Sequence, residues 1–92
     1  MAENITEIIQ LAAELGVEEK RVLKVLRKVS AALPAELAVK SFMLPEEIKK
    51  TLLSLKEKDL INTERTTTLS TSELVFLNER GRITAQVLTE MK

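Results

Sequence analysis

The sequence has no cysteine and no histidine among its 92 residues. Without thiols the chain forms no disulfide and performs no cysteine chemistry. Without imidazole it lacks the general base of a Ser-His-Asp triad and a common zinc ligand. These absences exclude disulfides, thiol catalysis, the Ser-His-Asp triad and nearly every zinc site. We therefore expect that the chain is not an enzyme and uses no metal or other cofactor.

Aromatic residues and glycines are also scarce. The chain has no Trp or Tyr and only two Phe, which argues against the stacking surfaces that bind single-stranded nucleic acid. Its two glycines, Gly16 and Gly81, are too far apart for a Gly-rich phosphate loop. No apolar run approaches the ~18 residues that span a bilayer, and MAENITEIIQ lacks the features of a signal peptide. We expect a cytoplasmic protein.

The overall composition is typical of a small globular domain. Apolar residues make up 45% and charged residues 30% of the chain, and its length fits one domain. The 14 Lys and Arg balance the 14 Asp and Glu, so the formal net charge is zero. Most DNA-binding domains are more basic. Neutrality therefore counts against a nucleic-acid role unless the charges are unevenly distributed.

The first third of the chain predicts two amphipathic helices. In residues 4–16, NITEIIQLAAELG, Asn4 is expected to cap the helix and Gly16 to end it in the left-handed conformation. Residues 17–33, VEEKRVLKVLRKVSAAL, predict a second helix that Pro34 stops. The expected inward rows are Ile5, Ile8, Ile9, Ala12 and Leu15 in the first helix, and Val22, Leu26, Val29 and Leu33 in the second.

Two further helices follow, and each begins at a proline, which suits the first helical position. Residues 34–41, PAELAVKS, predict about two turns with Leu37 and Ala38 inward. The segment FML is expected to connect tightly to a longer helix over residues 45–58. The expected inward row of the longer helix is Ile48, Leu52 and Leu55.

The last third of the chain predicts a β-hairpin and a final helix. LINTERT and SELVFL are β-prone, and the Thr/Ser cluster of residues 66–72 between them predicts an open loop. Asn78 is expected to cap the helix over residues 79–92, which Gly81 weakens in its first turn. The expected inward row of that helix is Ile83, Val87 and Met91.

The predicted fold is therefore mainly α with a small β-hairpin, in the order helix-helix-helix-helix-strand-strand-helix. We expect one domain over residues 1–92, with a helical extension at about residues 1–16. Because a lone hairpin is marginal in water, this one must pack on the helices.

Two short motifs in this order resemble the winged helix-turn-helix superfamily, especially the MarR-like transcriptional regulators. Their recognition helix ends in Leu-x-x-x-Gly-Leu-Ile, and residues 55–61 are LKEKDLI, with Asp59 in place of Gly. Asp tolerates the left-handed conformation better than most residues. Their final helix opens with Leu-Thr-x-x-Gly-Arg, and residues 77–82 are LNERGR, with Asn78 in place of Thr. The resemblance covers roughly residues 17–92.

The resemblance implies a mode of binding to double-stranded DNA. The helix of residues 45–58 would enter the major groove, and the hairpin would lie along the backbone as a wing. The DNA-binding residues that it implies are Lys49, Lys50, Thr51 and Ser54 on the helix, and Arg65, Thr67, Thr68 and Ser70 on the wing. Glu46 and Glu47 stand where family members usually present Ser, Thr, Gln or Arg, and these carboxylates would repel phosphates.

A second candidate surface lies nearer the N-terminus. Residues 11–29, LAAELGVEEKRVLKVLRKV, independently resemble a plain helix-turn-helix. Residues 20–35 contain no acid, and this is the most basic stretch of the chain. Its candidate DNA-binding residues are Lys20, Arg21, Lys24, Arg27 and Lys28. Neutralising phosphates releases counterions, so this helix would supply nonspecific affinity. Residues 34–92 would then be a scaffold or a dimerisation unit.

We expect a sequence-directed DNA-binding transcriptional regulator that forms a homodimer. Leu11 and Leu53 lie beside the inward rows of their helices, where they would either form a contact surface or cover the core within one chain. A two-fold dimer would place two recognition helices about one DNA turn apart. No residue indicates a small-molecule effector. The alternative is a winged-helix module for protein–protein interaction or assembly without DNA binding, which the zero net charge and the two carboxylates favour.

Overall fold

The computed structural model describes residues 5–65 and 73–90. In these residues the helices are α1 (Ile5–Glu14), α2 (Val17–Val29), α3 (Pro34–Lys40), α4 (Pro45–Glu57) and α5 (Glu79–Glu90). The strands are β1 (Ala31–Ala32), β2 (Ile61–Arg65) and β3 (Glu73–Leu77). The predicted mainly helical fold with its hairpin is confirmed, and β1 is an additional element that the sequence analysis did not predict.

Three helices begin with the same hydrogen bond, in which a glutamate at the third helical position accepts a backbone N–H. The carboxylates of Glu19, Glu36 and Glu47 accept the backbone N–H of the residue that precedes α2, α3 and α4, at 2.9, 3.1 and 2.9 Å. Gly16, before α2, has an extended backbone with φ −71°. Its predicted left-handed conformation is therefore wrong, because Gly16 starts the next helix. The proposed cap Asn4 lies outside the described residues.

The second helix is shorter than predicted. It ends at Val29, and Ser30 takes a left-handed φ of 72° while its N–H bonds to the Leu26 carbonyl. The chain then forms β1, which pairs antiparallel with β3. Pro34 therefore does not stop α2 but opens α3. The predicted continuation to residue 33 is wrong because pairing with a distant strand satisfies the backbone of residues 31 and 32.

The three strands form one antiparallel sheet in the order β1-β3-β2. The hairpin register runs from Ile61 opposite Leu77 to Arg65 opposite Glu73. Alternation along β3 buries Val75 and Leu77 against the helices. The two predicted β segments are confirmed, and the Thr/Ser cluster between them lies outside the described residues.

The core lies between the sheet and the helices. Helix α1 packs on α5, and α2 packs on α3, α4 and α5. Leu11 is half-buried and packs against the core, so of its two predicted roles it covers the core within the chain. Leu53 is exposed, as predicted. The buried apolar side chains are Ile8, Ala12, Leu15, Val22, Leu23, Leu26, Ala32, Leu37, Ala38, Met43, Ile48, Leu55, Leu60, Ile61, Val75, Leu77, Ala85 and Leu88.

Helices α3 and α4 end in the same way, with a left-handed residue that is not glycine. Phe42 has φ 55° and Asp59 has φ 59°. The N–H of the next residue reaches back to the third residue from the helix end, from Met43 to Ala38 and from Leu60 to Leu55. This is the Schellman motif. The left-handed conformation expected of Asp59 is confirmed.

The start of α5 is fixed against the end of α4. The Asn78 side chain accepts the Gly81 N–H at 2.8 Å, which confirms the predicted cap, and it donates to the Asp59 carbonyl at 2.9 Å. The Asn78 N–H bonds to the Leu60 carbonyl. A β-carbon on Gly81 would overlap that same carbonyl oxygen. Gly81 is therefore required for close packing, rather than being only a weak point of the helix.

The inward face of α5 differs from the predicted row. Ile83 and Val87 are only half-buried, and Met91 lies outside the described residues. The buried residues are Gly81, Thr84, Ala85 and Leu88. The helix is rotated because Gly81 faces the Leu60 carbonyl, and α1 and α2 both pack on α5.

Among residues 5–65 and 73–90, no helix is both long enough and apolar enough to cross a bilayer. The same residues hold no cluster of three or more Asp or Glu side chains that is arranged to bind a metal ion.

Candidate nucleic-acid interface

Helices α3 and α4 form a helix-turn-helix unit that packs on α2. The turn between them is short because Phe42 adopts the left-handed conformation and Met43 is buried beneath it. Arg21 on α2 donates through Nη1 to the Ser41 carbonyl at 3.3 Å. This bond places one cation of α2 beside the turn.

The outward side of α4 carries Lys49 and Lys50, both exposed. The described residues contain no ion pair for either lysine. Thr51, in contrast, is only 7% exposed and faces the core. Its expected place on the outward side is wrong, because the buried face of α4 consists of Ile48, Thr51 and Leu55.

Ser54 is engaged within the protein. Its hydroxyl donates to the Glu19 Oε2 atom at 2.7 Å and accepts from the Lys58 Nζ atom at 2.8 Å. Lys58 also pairs directly with Glu19 at 2.8 Å. The expectation that Ser54 faces outward is wrong, since this group of three side chains ties the end of α4 to the start of α2.

Glu19 is charged more readily than an ordinary glutamate. Burial acts to raise its pKa. Hydrogen bonds from Lys58, the Gly16 N–H and Ser54, together with the charge of Lys58, outweigh burial and hold the pKa below the ordinary value of 4.5. The carboxylate is therefore a permanent anion at neutral pH, and Lys58 is not a free cation for a partner.

Acidic side chains share the exposed surface of α4. Glu46 and Glu57 are exposed, and Glu46 lies four residues before Lys50 on the same side of the helix. Glu47 is exposed too, but its carboxylate accepts the Leu44 N–H and stabilises the helix start. Only one of the two carboxylates at this end therefore lacks a structural role in the described residues. The outward side of α4 is electrostatically mixed rather than basic.

The hairpin contributes one described candidate. Arg65 is exposed at the end of β2, opposite Glu73. The wing residues Thr67, Thr68 and Ser70 lie outside the described residues.

Helix α2 carries a basic stripe, which we define as Lys20, Arg21, Lys24, Arg27 and Lys28. Positions spaced by one, three, four, seven and eight residues lie on one side of a helix. The described side chains agree, because Lys20 is half-buried and the other four are exposed, whereas the opposite side is buried. Arg27 also faces a cleft of about 210 Å³ between α2 and α5, together with Arg82. The stripe is the densest group of cations among the described residues.

Lys56 was not among the candidates predicted from the sequence. Its exposed side chain lies beside the hairpin, with Nζ 3.5 Å from the Thr63 Oγ1 atom. Lys56 follows Lys49 by seven residues, which is two helical turns, so both project from the same side of α4. That spacing was the available signal.

No protein-family model and no curated protein matches the chain. Solved structures do match its fold. RV1404 from Mycobacterium tuberculosis superposes with a TM-score of 0.80 and 24% identity over 90% of this chain. SPO1453, a MarR family transcriptional regulator from Silicibacter pomeroyi DSS-3, superposes with a TM-score of 0.75 and 25% identity over 86% of this chain.

A third structure was solved with DNA. ZitR of Lactococcus lactis, a zinc-responsive MarR family member, gives a TM-score of 0.71 and 25% identity in its DNA complex, over 84% of this chain. The chain spans 56%, 55% and 52% of the lengths of these three structures, respectively. The chain therefore has the winged helix-turn-helix fold of the MarR-family regulators, as its two motifs indicated.

Proposed function

We propose that the chain is a sequence-directed DNA-binding transcriptional regulator that uses α4 and the β2–β3 hairpin. The observation that carries this proposal is the match between 84% of the chain and a structure solved with DNA. In support, α4 presents Lys49 and Lys50 with no ion partner in the described residues. The major groove of B-DNA has the width of an α-helix.

The two basic surfaces have different roles in this proposal. Helix α4 contacts base edges, where Glu46 would favour a donor such as the cytosine amino group. The basic stripe of α2 neutralises phosphates, which adds affinity without sequence preference. Arg65 and the hydroxyls of Thr67, Thr68 and Ser70 add phosphate contacts from the wing. This division reconciles a neutral chain with a polyanionic partner.

We also propose that the regulator is a cytoplasmic homodimer, so that two copies of α4 meet successive turns of the duplex. Ile5 and Ile9 support self-association, because both are exposed on α1 while the opposite side of that helix is buried. Sedimentation velocity from low to high micromolar concentration tests it. A monomer throughout that range would contradict the homodimer.

The decisive experiment for DNA binding is a titration of random-sequence duplex at several salt concentrations. We expect binding that weakens steeply as salt rises, with a slope that reports the number of neutralised phosphates. A fragment selected for binding from a pool of genomic fragments should bind more tightly than the random-sequence duplex. Absence of binding at low salt would overturn the proposal and favour the assembly module.

Paired variants separate the two surfaces. Lys24→Gln/Lys28→Gln should lower affinity for every sequence and flatten the salt slope by about two. Lys49→Gln/Lys50→Gln should reduce the preference for the selected fragment more than the affinity for random duplex. Gln10→Glu/Ala13→Glu on the exposed side of α1 is the control, because it lowers the net charge by the same amount. Equal losses in all three variants would show that only net charge matters.

A further inference from the structure

The described residues include seven large apolar side chains that are exposed, and they are unevenly placed. Val39, Phe42, Leu44 and Leu53 all lie on α3, on α4 or in the turn between them. Phe42 is 89% exposed and holds a left-handed backbone, so the fold gains little from its side chain. Clustered exposed apolar residues mark interaction surfaces, whereas single ones do not.

Two of these residues, Val39 and Leu53, line a groove of about 1010 Å³ between α3, α4 and the face of the hairpin. Its floor consists of buried or half-buried carbon, including Met43, Ile48 and Val75. A groove of this volume holds several apolar side chains at once.

The charges that line the groove are mainly positive. Lys49 and Lys56 lie along the α4 wall, and Glu73 lies on the hairpin wall. The Glu73 Oε2 atom is 3.4 Å from the Thr63 hydroxyl, which links it to the sheet. The two lysines are two turns apart, roughly 10 Å along the helix axis. The groove therefore suits an apolar occupant with carboxylates along one edge.

We propose that this groove docks an amphipathic helix of another protein, with acidic side chains along the edge that meets α4. A docked helix places residues of spacing three, four and seven in an apolar groove. Leucines at that spacing would contact Leu53, Val39 and the floor. Glutamates beside them would pair with Lys49 and Lys56. Charge complementarity of this kind selects partners and their orientation more than it adds affinity.

A designed peptide tests the proposal in the absence of DNA, so the result is independent of the proposed function. The probe is a fluorescein-labelled helix of about 18 residues, long enough to fold in part on its own. It carries leucines along one face and glutamates beside them. A matched peptide carries lysines in place of the glutamates. Fluorescence anisotropy should show that the acidic peptide binds at least tenfold more tightly than the basic one.

Variants of the full chain locate the contact. Leu53→Gln and Val39→Gln should each weaken binding of the acidic peptide about fivefold or more. Lys49→Glu/Lys56→Glu should invert the preference, so that the basic peptide binds better. Lys24→Glu/Lys50→Glu makes the same change in net charge with residues that do not line the groove, and it should keep the original order. Circular dichroism and thermal melting confirm that each variant is folded.

Three results would overturn the proposal. The first is equal binding of the acidic and basic peptides. The second is unchanged binding in Leu53→Gln and Val39→Gln. The third is an inverted preference in the control Lys24→Glu/Lys50→Glu as well as in Lys49→Glu/Lys56→Glu. Sedimentation of the chain alone distinguishes one more occupant: if it self-associates and Leu53→Gln abolishes this, the groove takes a second copy of the chain and the proposal of a separate partner fails.

Discussion

The C-terminal end of α4 is held by contacts within the protein, whereas its outward side is exposed. At the end, Lys58 and Ser54 bond to Glu19. The Leu60 carbonyl accepts the Asn78 N–H and lies close against Gly81, which has no β-carbon. On the outward side, Lys50 and Leu53 are exposed. The end positions the helix, and the outward side is available to a partner. Substitutions at the end should therefore affect stability, and those on the outward side should affect binding.

The largest expected effect is at Gly81. Gly81→Ala inserts a methyl group into the Leu60 carbonyl oxygen and should lower the free energy of unfolding by about 3 kcal/mol, the upper range for overpacking. Urea denaturation measures it. Gly16→Ala is the matched control, because its β-carbon would meet only the Glu19 carboxylate at an ordinary 3.6 Å. If both variants were equally stable, the close approach of α5 to the Leu60 carbonyl would be wrong.

The next effect is at Glu19. Glu19→Ala removes the partner of Lys58, the acceptor of Ser54 and the cap of Gly16, and should lower stability by about 2 kcal/mol. Glu18→Ala is the control, because Glu18 is an exposed acid in the same turn. Equal melting temperatures for the two variants would show that the link between α2 and α4 contributes no stability.

A change at the turn should stabilise the fold. Phe42→Gly relieves the left-handed strain of a non-glycine residue and should raise the free energy of unfolding by about 1 kcal/mol. Phe42 does not line the groove, so the same change should leave the affinity for the acidic peptide unaltered. Thermal melting checks the first part. A destabilised variant would mean that the Phe42 side chain supports the fold.

The smallest effect is a pH dependence. Because the folded pKa of Glu19 is lowered, its contribution is complete above the unfolded value of 4.5 and is lost as the pH falls through the folded pKa. The difference in free energy of unfolding between the unmutated chain and Glu19→Gln should therefore shrink as the pH falls from 6 to 3. The other carboxylates are present in both chains, so their titration cancels in this difference. A difference that is constant over this range would contradict the lowered pKa.

Local sequence signals predicted most of the helix starts and both long strands. Pro34, Pro45 and Asn78 mark helix starts that the structure shows at those positions. Asp59 was expected to be left-handed from a short motif, and it is. These features depend on a few neighbouring residues, so the sequence carries enough information to place them.

Features that depend on distant residues were not predictable in this way. The apolar pattern of α2 continues to Leu33, but pairing of Ala31 and Ala32 with β3 ends the helix earlier. Thr51 looked like a surface residue, but the rotation of α4 on α2 buries it. The candidate basic stripe followed directly from spacing, whereas the apolar groove required α3, α4 and the hairpin to be brought together.

The three glutamates that cap α2, α3 and α4 change what a zero net charge means. Each carboxylate lies against the positive end of a helix dipole, where its field is partly cancelled at short range. A further cancellation occurs where Glu19 meets Lys58. Among residues 5–65 and 73–90, none of the cations of α2 forms an ion pair. To an approaching polyanion, this nominally neutral molecule presents the exposed cations of α2.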